Sequence, residues 1–109
     1  MGKKDEIKKY LPLTEATYYI LLTLTKPTHG YAVMQEVQEI SKGTVEIGPG
    51  TLYGAFSTLE KEGLIRMVKH ENRRKSYVLT PKGERLLLAQ IQRLQIMTKV
   101  GEKLVGDLS

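Results

Sequence analysis

The chain is predicted to be mainly α-helical with one small β-hairpin, and to finish in a long helix. Three observations predict this. Apolar residues recur at three- and four-residue steps through most of the 109 residues, the spacing of helices that each bury one stripe. The period changes after Gly63, where residues 64–69 and 76–79 read as two strands joined by a polar connection, 70–75. Gly, Pro and Thr punctuate the chain where helices start and stop, at Gly48-Pro49, at Gly63 and at Thr80-Pro81.

A chain of this length suits one domain with one modest core. A hydrophobic content of 40% and a charged content of 27% belong to a soluble globular protein. No apolar run approaches a membrane span and no charged-then-apolar leader is present, so no membrane partner is expected and a cytoplasmic location fits. Met1-Gly2 opens like a myristoylation signal, but Glu6 stands where that signal needs Ser or Thr. There is no cysteine, and His29 and His70 have no companions at metal spacing, so no disulfide, metal or cofactor is expected. Charge is more telling. From Arg66 to Arg85, seven Lys and Arg stand against two Glu, a balance of +5; the whole chain is also +5, so the remainder sums to zero. Excess positive charge held in one segment points to a polyanion partner there.

Residues 1–10 are polar, a frayed arm or a short helix with Ile7 and Tyr10 or Leu11 as its apolar contacts. Pro12-Leu13-Thr14-Glu15 opens the first full helix: Thr14 caps, Glu15 favours the first turn, and Leu13 is spaced to staple onto Tyr18. Ala16, Ile20, Leu21 and Leu24 form its stripe, flanked by Tyr18 and Tyr19, and Lys26-Pro27 stops it. A second helix is expected from His29-Gly30-Tyr31 to about Ser41, burying Val33, Met34, Val37 and Ile40. Thr44-Val45-Glu46-Ile47 is short and partly β-branched, and is expected to form a small strand.

The third helix is expected at 49–62. Gly48 suits its N-cap, Pro49 its first position and Gly63 a left-handed C-cap. Leu52, Ala55, Phe56 and Leu59 share one face. Gly50, Thr51, Gly54, Ser57, Thr58 and Lys61 share the other, with Tyr53 at the border. That outer face is either an ordinary solvated one or a small, hydroxyl-bearing surface that comes close to a grooved partner. The hairpin follows, with a basic tip at Asn72-Arg73-Arg74. Thr80 caps the last helix, Pro81 takes its first position, and Leu87, Ile91, Leu94, Met97 and Leu104 lie on a stripe that runs to about Asp107. At ~1.5 Å per residue this helix is roughly 40 Å long, more than a domain of radius about 12 Å can cover. Either its distal half packs on a second copy of the chain, or it is shorter and folds back at Gly101 or Gly106.

Helix, helix, short strand, helix, hairpin is the order of a winged helix-turn-helix. In that fold the third helix enters the major groove of double-stranded DNA and the hairpin, or wing, touches backbone or minor groove. The expected architecture is therefore a winged helix-turn-helix plus a long C-terminal dimerisation helix. Residues 1–80 would be the DNA-binding domain with its N-terminal arm, and residues 81–109 the dimerisation helix. The residues sharpen this. Leu13-Thr14, Pro27-Thr28-His29-Gly30-Tyr31, Gly50-Thr51-Leu52-Tyr53, Leu59-Glu60-Lys61-Glu62-Gly63-Leu64-Ile65, Arg73-Arg74-Lys75-Ser76-Tyr77 and Leu79-Thr80-Pro81-Lys82-Gly83 occur in order. Together they resemble the PadR family of bacterial transcriptional regulators, in its smaller type with a single C-terminal helix.

The resemblance implies a homodimeric repressor whose C-terminal helices pair, setting two winged domains on successive major grooves of an operator with dyad symmetry. By position it carries Tyr31, Thr51, Tyr53, Arg73, Arg74 and Lys75 onto the DNA face. Gly50 and Gly54 allow close backbone approach, and Ser57, Thr58, Lys61 and Lys69 complete the candidate set, with the basic wing at 69–76. The helix presents no bidentate base reader such as Arg or Asn, so operator choice is expected to lean on shape, methyl contact and the wing arginines. Leu87, Ile91, Leu94, Met97 and Leu104 are the candidate dimer contacts. Some members of that family release DNA when an aromatic or phenolic small-molecule effector binds near the dimer interface, so the resemblance leaves two alternatives open, such an effector or none. With no Trp and one Phe, no aromatic cage is evident, and Tyr10, Tyr18 and Tyr19 are the rings available to it. Twelve scattered carboxylates, two isolated histidines and no cysteine supply no catalytic constellation, so no enzyme is expected. The rival is a winged-helix module for protein–protein contacts without sequence-specific DNA binding, its basic wing serving only solubility; a salt titration separates the two, since DNA binding through the wing weakens steeply with salt.

Overall fold

The computed structural model describes residues 3–108, with side chains from Glu6 onward; Met1, Gly2 and Ser109, and with them the Met1-Gly2 lipidation motif, lie outside the described residues. Helix α1 (Lys3–Lys8) precedes α2 (Glu15–Thr23), whose N-cap Thr14 accepts the Thr17 N–H at 3.1 Å through Oγ1. The two-residue strand β1 (Thr28–His29) leads directly into α3 (Gly30–Ile40). Helix α4 (Pro49–Lys61) begins with proline after Gly48, where the missing N–H costs no hydrogen bond. It ends as glycine allows: Gly63 has φ +74°, and the Leu64 N–H turns back to the Leu59 carbonyl at 2.9 Å. Strands β2 (Ile65–Glu71) and β3 (Arg74–Leu79) form the hairpin, and α5 (Pro81–Val105) closes in a 3-10 turn at Gly106–Leu108.

The core lies where α2, α3, α4 and the first turns of α5 meet the base of the hairpin. Ile20, Leu21, Leu24, Val33, Val37, Leu52, Phe56, Leu64, Ile65 and Leu86 are buried there, each side chain contributing about 1.5–3 kcal/mol by leaving water. Two polar devices fix α5 on this core. Thr80 Oγ1 caps it by accepting the Gly83 N–H at 3.1 Å, and the buried Gln90 Oε1 accepts the Leu13 N–H at 2.9 Å. At Gly83 the helix crosses the hairpin base in backbone contact, since an added methyl would overlap the Leu64 carbonyl. The antiparallel sheet has the order β1-β3-β2, with Thr28 opposite Tyr77 and Ile65 opposite Leu79.

The structure departs from expectation in four places. Residues 44–47 form no strand; at Val45 the backbone is satisfied locally by Ser41, whose Oγ accepts the Val45 N–H at 3.1 Å and donates to the Val45 carbonyl at 3.2 Å. The third strand is β1 instead, which has the free edge of β3 to pair with. Ile40 is exposed rather than buried, at the last turn of α3. The hairpin connection is tighter than 70–75: Asn72 and Arg73, with φ +51° and +65°, make a two-residue turn of the primed kind that matches strand twist. Leu87, read as a dimer contact, is only 5% exposed and belongs to the core of its own domain.

Beyond Gln90 the helix leaves the core without folding back. Ile91 and Leu94 are half-buried, while Ile96, Met97, Val100, Leu104, Val105 and Leu108 are exposed. Its 25 residues span roughly 37 Å at ~1.5 Å each. The radius of gyration is accordingly 15.4 Å, against about 13 Å for a compact chain of this length.

Candidate nucleic-acid interface

Helix α4 turns Leu52, Phe56 and Leu59 into the core, and this fixes what it shows outside: Gly50, Thr51, Tyr53, Ser57, Thr58 and Lys61 are all exposed. Tyr31, Lys69, Arg73, Arg74 and Lys75 are exposed as well. All eleven candidate residues therefore lie on the surface, but they do not form one patch. Tyr31, Tyr53, Ser57, Arg73, Arg74 and Lys75 line a single cleft of about 500 Å³ between the start of α3, the middle of α4 and the wing. Thr58 lines a separate, more apolar groove with Gly54 and Tyr10. Gly50, Thr51, Lys61 and Lys69 line neither.

Aromatic stacking sets the floor of the cleft. Tyr77, on the central strand, packs its ring 4.7 Å from that of Phe56, and Tyr53 stands edge-on to Phe56 at 6.1 Å. Tyr77 is buried, and burial first, then Glu60 and Tyr53, pushes its phenol above the usual range, so it stays neutral. Tyr53 remains 53% exposed, its hydroxyl lying where Gly30 has no side chain: a methyl there would sit 2.6 Å from Oη. Tyr31, 58% exposed, accepts a hydrogen bond from Gln35 Nε2 at 3.2 Å. The site thus presents tyrosine hydroxyls beside three wing cations, and among the described residues no carboxylate lines it.

Sequence reasoning missed His29. Its position before Gly30-Tyr31 was visible, but its work was not. Nδ1 caps α3 by accepting the Ala32 N–H at 3.3 Å, and Nε2 lies 3.5 Å from Arg74 Nη1. A second network was invisible in sequence, because its members are far apart in the chain. Tyr10 Oη donates to Glu62 Oε1 at 2.7 Å, while Lys82 Nζ donates to Tyr10 Oη at 3.1 Å and to the Glu62 carbonyl at 2.9 Å. The Tyr10 hydrogen bond holds the Glu62 carboxyl below its ordinary range; desolvation opposes this, and Lys9, Lys82 and Lys61 reinforce it. This network ties the turn after α1, and α5, to the end of α4. It also divides the basic segment, since Lys82 serves here and Arg85 pairs with Glu6 at 3.3 Å. The positive charge near the cleft belongs to the wing proper.

Tyr10, Tyr18 and Tyr19 do not gather. Tyr18 and Tyr19 pack on each other at 5.6 Å, and Tyr18 lines a groove along α5 with Ile91, Leu94 and Ile96, whereas Tyr10 lies beside Glu62.

The model of the transcriptional regulator PadR-like family matches residues 20–89. The chain is 34% identical over 82 residues to an uncharacterised 37.1 kDa protein in transposon TN4556 of Streptomyces fradiae, covering 74% of this chain but only 23% of that protein. It is 33% identical over 91 residues to the uncharacterised protein X of Lysinibacillus sphaericus, covering 80% of each. Among solved structures, a transcriptional regulator from Clostridium thermocellum is similar with a TM-score of 0.66 and 27% identity, over 93% of this chain and 98% of that one.

Proposed function

The chain belongs to the PadR-like family of transcriptional regulators, and from that premise we propose that it is a homodimeric repressor of operator DNA. It is a regulator with a winged-helix fold, not an enzyme. In the proposed complex α4 lies in the major groove, where Gly50 and Gly54 let its backbone approach and Thr51, Tyr53, Ser57, Thr58 and Lys61 reach phosphate or base edges. The wing, with Lys69, Arg73, Arg74 and Lys75, follows the adjacent backbone. The observation that carries this is the cleft itself: hydroxyl donors from α4 and α3 converge with three wing cations and, among the described residues, no carboxylate. That lining suits a polyanion brought in from outside.

Dimerisation is supported by the distal half of α5. Met97 and Leu104 are 63% and 73% exposed on a helix that has left its core, and Ile96, Val100 and Leu108 extend the apolar surface. A second copy covers such a surface by self-complementary pairing of the two helices. Ile91, Leu94, Met97 and Leu104 remain the proposed contacts, with Leu87 removed to the core. The division into 1–80 and 81–109 is then one of role, since Gly83, Leu86, Leu87 and Gln90 of α5 complete the winged domain. For an aromatic or phenolic effector we favour the groove of about 740 Å³ along α5, where Tyr18 stands and Tyr10 does not. Work on chromosomal DNA fits a cytoplasmic location.

The test is a fluorescence anisotropy titration of purified protein against a duplex from upstream of its own gene and a scrambled control, over a series of KCl concentrations. Tighter binding to the native duplex, weakening steeply with salt, is the expected result. Equal, salt-insensitive or absent binding to both duplexes overturns the proposal.

A further inference from the structure

His29 meets a donor at each ring nitrogen, the Ala32 N–H at Nδ1 and the Arg74 guanidinium at Nε2, and a neutral imidazole can accept only one of them. His29 Nδ1 accepts the Ala32 N–H at 3.3 Å, so that nitrogen carries no proton. A neutral imidazole then holds its proton on Nε2. Arg74 Nη1 stands 3.5 Å from this Nε2, and a guanidinium only donates. Two donors face each other, and neither can satisfy the other. An acceptor placed between them would satisfy both.

The surroundings define that acceptor. Arg73 and Lys75 add positive charge beside Arg74, and Tyr53 opens its hydroxyl onto the same cleft. Among the described residues no carboxylate lines it, and the Tyr53 hydroxyl has no hydrogen-bond partner. The two donors also come from different parts of the fold. His29 closes β1 and caps α3, whereas Arg74 opens β3 at the wing tip, two residues from Ser76, the partner of His29 in the sheet.

We propose that His29 Nε2–H and the Arg74 guanidinium clamp a single phosphodiester group of bound duplex DNA, each donating to one of its anionic oxygens. The clamp rests on the DNA-binding function proposed above. It makes His29 a DNA contact as well as a helix cap, and it couples the wing to the helix-turn-helix through one phosphate. The two donors differ in a measurable way. Arg74 neutralises a phosphate and releases its counterion, whereas a neutral imidazole releases none.

The experiment compares wild type, His29→Asn, Arg74→Gln and the double variant by anisotropy with a fluorescein-labelled random-sequence duplex over a KCl series. Asparagine keeps an oxygen able to cap α3 and removes the Nε2–H. His29→Asn should weaken binding about tenfold at every salt concentration, the scale of a hydrogen bond to a charged group, with an unchanged salt slope. Arg74→Gln should weaken binding and lower the slope by about 0.9. The double variant should lose less than the product of the two single losses, because both donors serve one phosphate. His29→Asn binding as wild type does, or a fully multiplicative double variant, overturns the clamp while leaving DNA binding intact. A wild type that binds no duplex overturns the DNA-binding function, and the clamp with it. Imidazole nitrogen NMR on the unsubstituted protein gives a readout independent of variant folding. The clamp requires a protonated Nε2 whose resonance shifts when duplex is added; a protonated Nδ1, or no shift, refutes it.

Discussion

Gly30→Ala is expected to disarm the interface while leaving the fold standing. A methyl carbon at position 30 would lie 2.6 Å from Tyr53 Oη, 2.9 Å from Cζ and 3.0 Å from Cε1. Ordinary contact begins near 3.4 Å, so the hydroxyl must retreat by about 0.8 Å. The obstruction is the outer end of a half-exposed side chain, which swings toward solvent. What the fold loses is the edge contact of Tyr53 on Phe56, worth about 0.5–1.5 kcal/mol. The better helix propensity of alanine offsets up to ~1 kcal/mol of that. At roughly 4–8 °C per kcal/mol for a small domain, the melting temperature should move by only a few degrees. DNA affinity should respond far more. A tyrosine hydroxyl bonded to a charged phosphate is worth about 1.5–3 kcal/mol, or roughly ten- to hundredfold in Kd. The assay is anisotropy on a labelled duplex beside thermal melts followed by circular dichroism, with Tyr53→Phe and the double variant alongside. Gly30→Ala and Tyr53→Phe should be non-additive, since both act on one hydroxyl. Wild-type affinity in Gly30→Ala would refute the placement of Tyr53 on the DNA. A melting temperature lowered by tens of degrees would show that Tyr53 is not free to move.

Arg73→Ala with Arg74→Ala should weaken specific and nonspecific duplex binding together and lower the salt slope by nearly two, at ~0.9 per phosphate contact, while sedimentation still finds a dimer. An unchanged slope removes the wing from the interface. Met97→Glu should give a folded monomer, because that side chain is 63% exposed within its own protomer; a dimer at micromolar concentration in sedimentation velocity would exclude the distal half of α5 as the interface. Gly83→Ala should unfold the domain or lower its melting temperature sharply, since the new methyl meets a backbone carbonyl that cannot rotate away; a wild-type melt would contradict the crossing of α5 over Leu64. The pH dependence of stability follows from Glu62. Its folded-state pKa lies below the ordinary 4.5, so its contribution is present above that value and lost as pH falls through the folded pKa. Wild type should therefore lose melting temperature more steeply than Tyr10→Phe below about pH 4.5, and parallel profiles would rule out the Tyr10–Glu62 bond as the cause.

Local chemistry explains which elements were legible. Thr14, Pro49, Gly63 and Thr80 act on backbone groups within a few residues of themselves, so their roles can be read without knowing the fold. The outer face of α4 follows from helical spacing once Leu52 and Phe56 are assigned inward. The small strand was misplaced because β-branching at Thr44, Val45 and Ile47 marks a preference, whereas a strand requires a partner edge. That edge belongs to Thr28 and His29, nearly fifty residues before their partners Tyr77 and Ser76. Leu87 lies on the same stripe as Leu104, and periodicity cannot say where along a helix the core stops.

By itself, then, the sequence determined the order of helices and hairpin, most of the inward face of the helices and the basic character of the wing. These depend on spacing, capping and composition. Only the tertiary structure decided which groups meet: Tyr53 against Gly30, His29 against Arg74, and Tyr10 with Lys82 on Glu62. It also decided that α5 is covered as far as Gln90 and largely bare beyond Leu94. The physical reason is common to both. A hydrogen bond or a buried face depends on distances between segments remote in the chain, and those are set when the core packs.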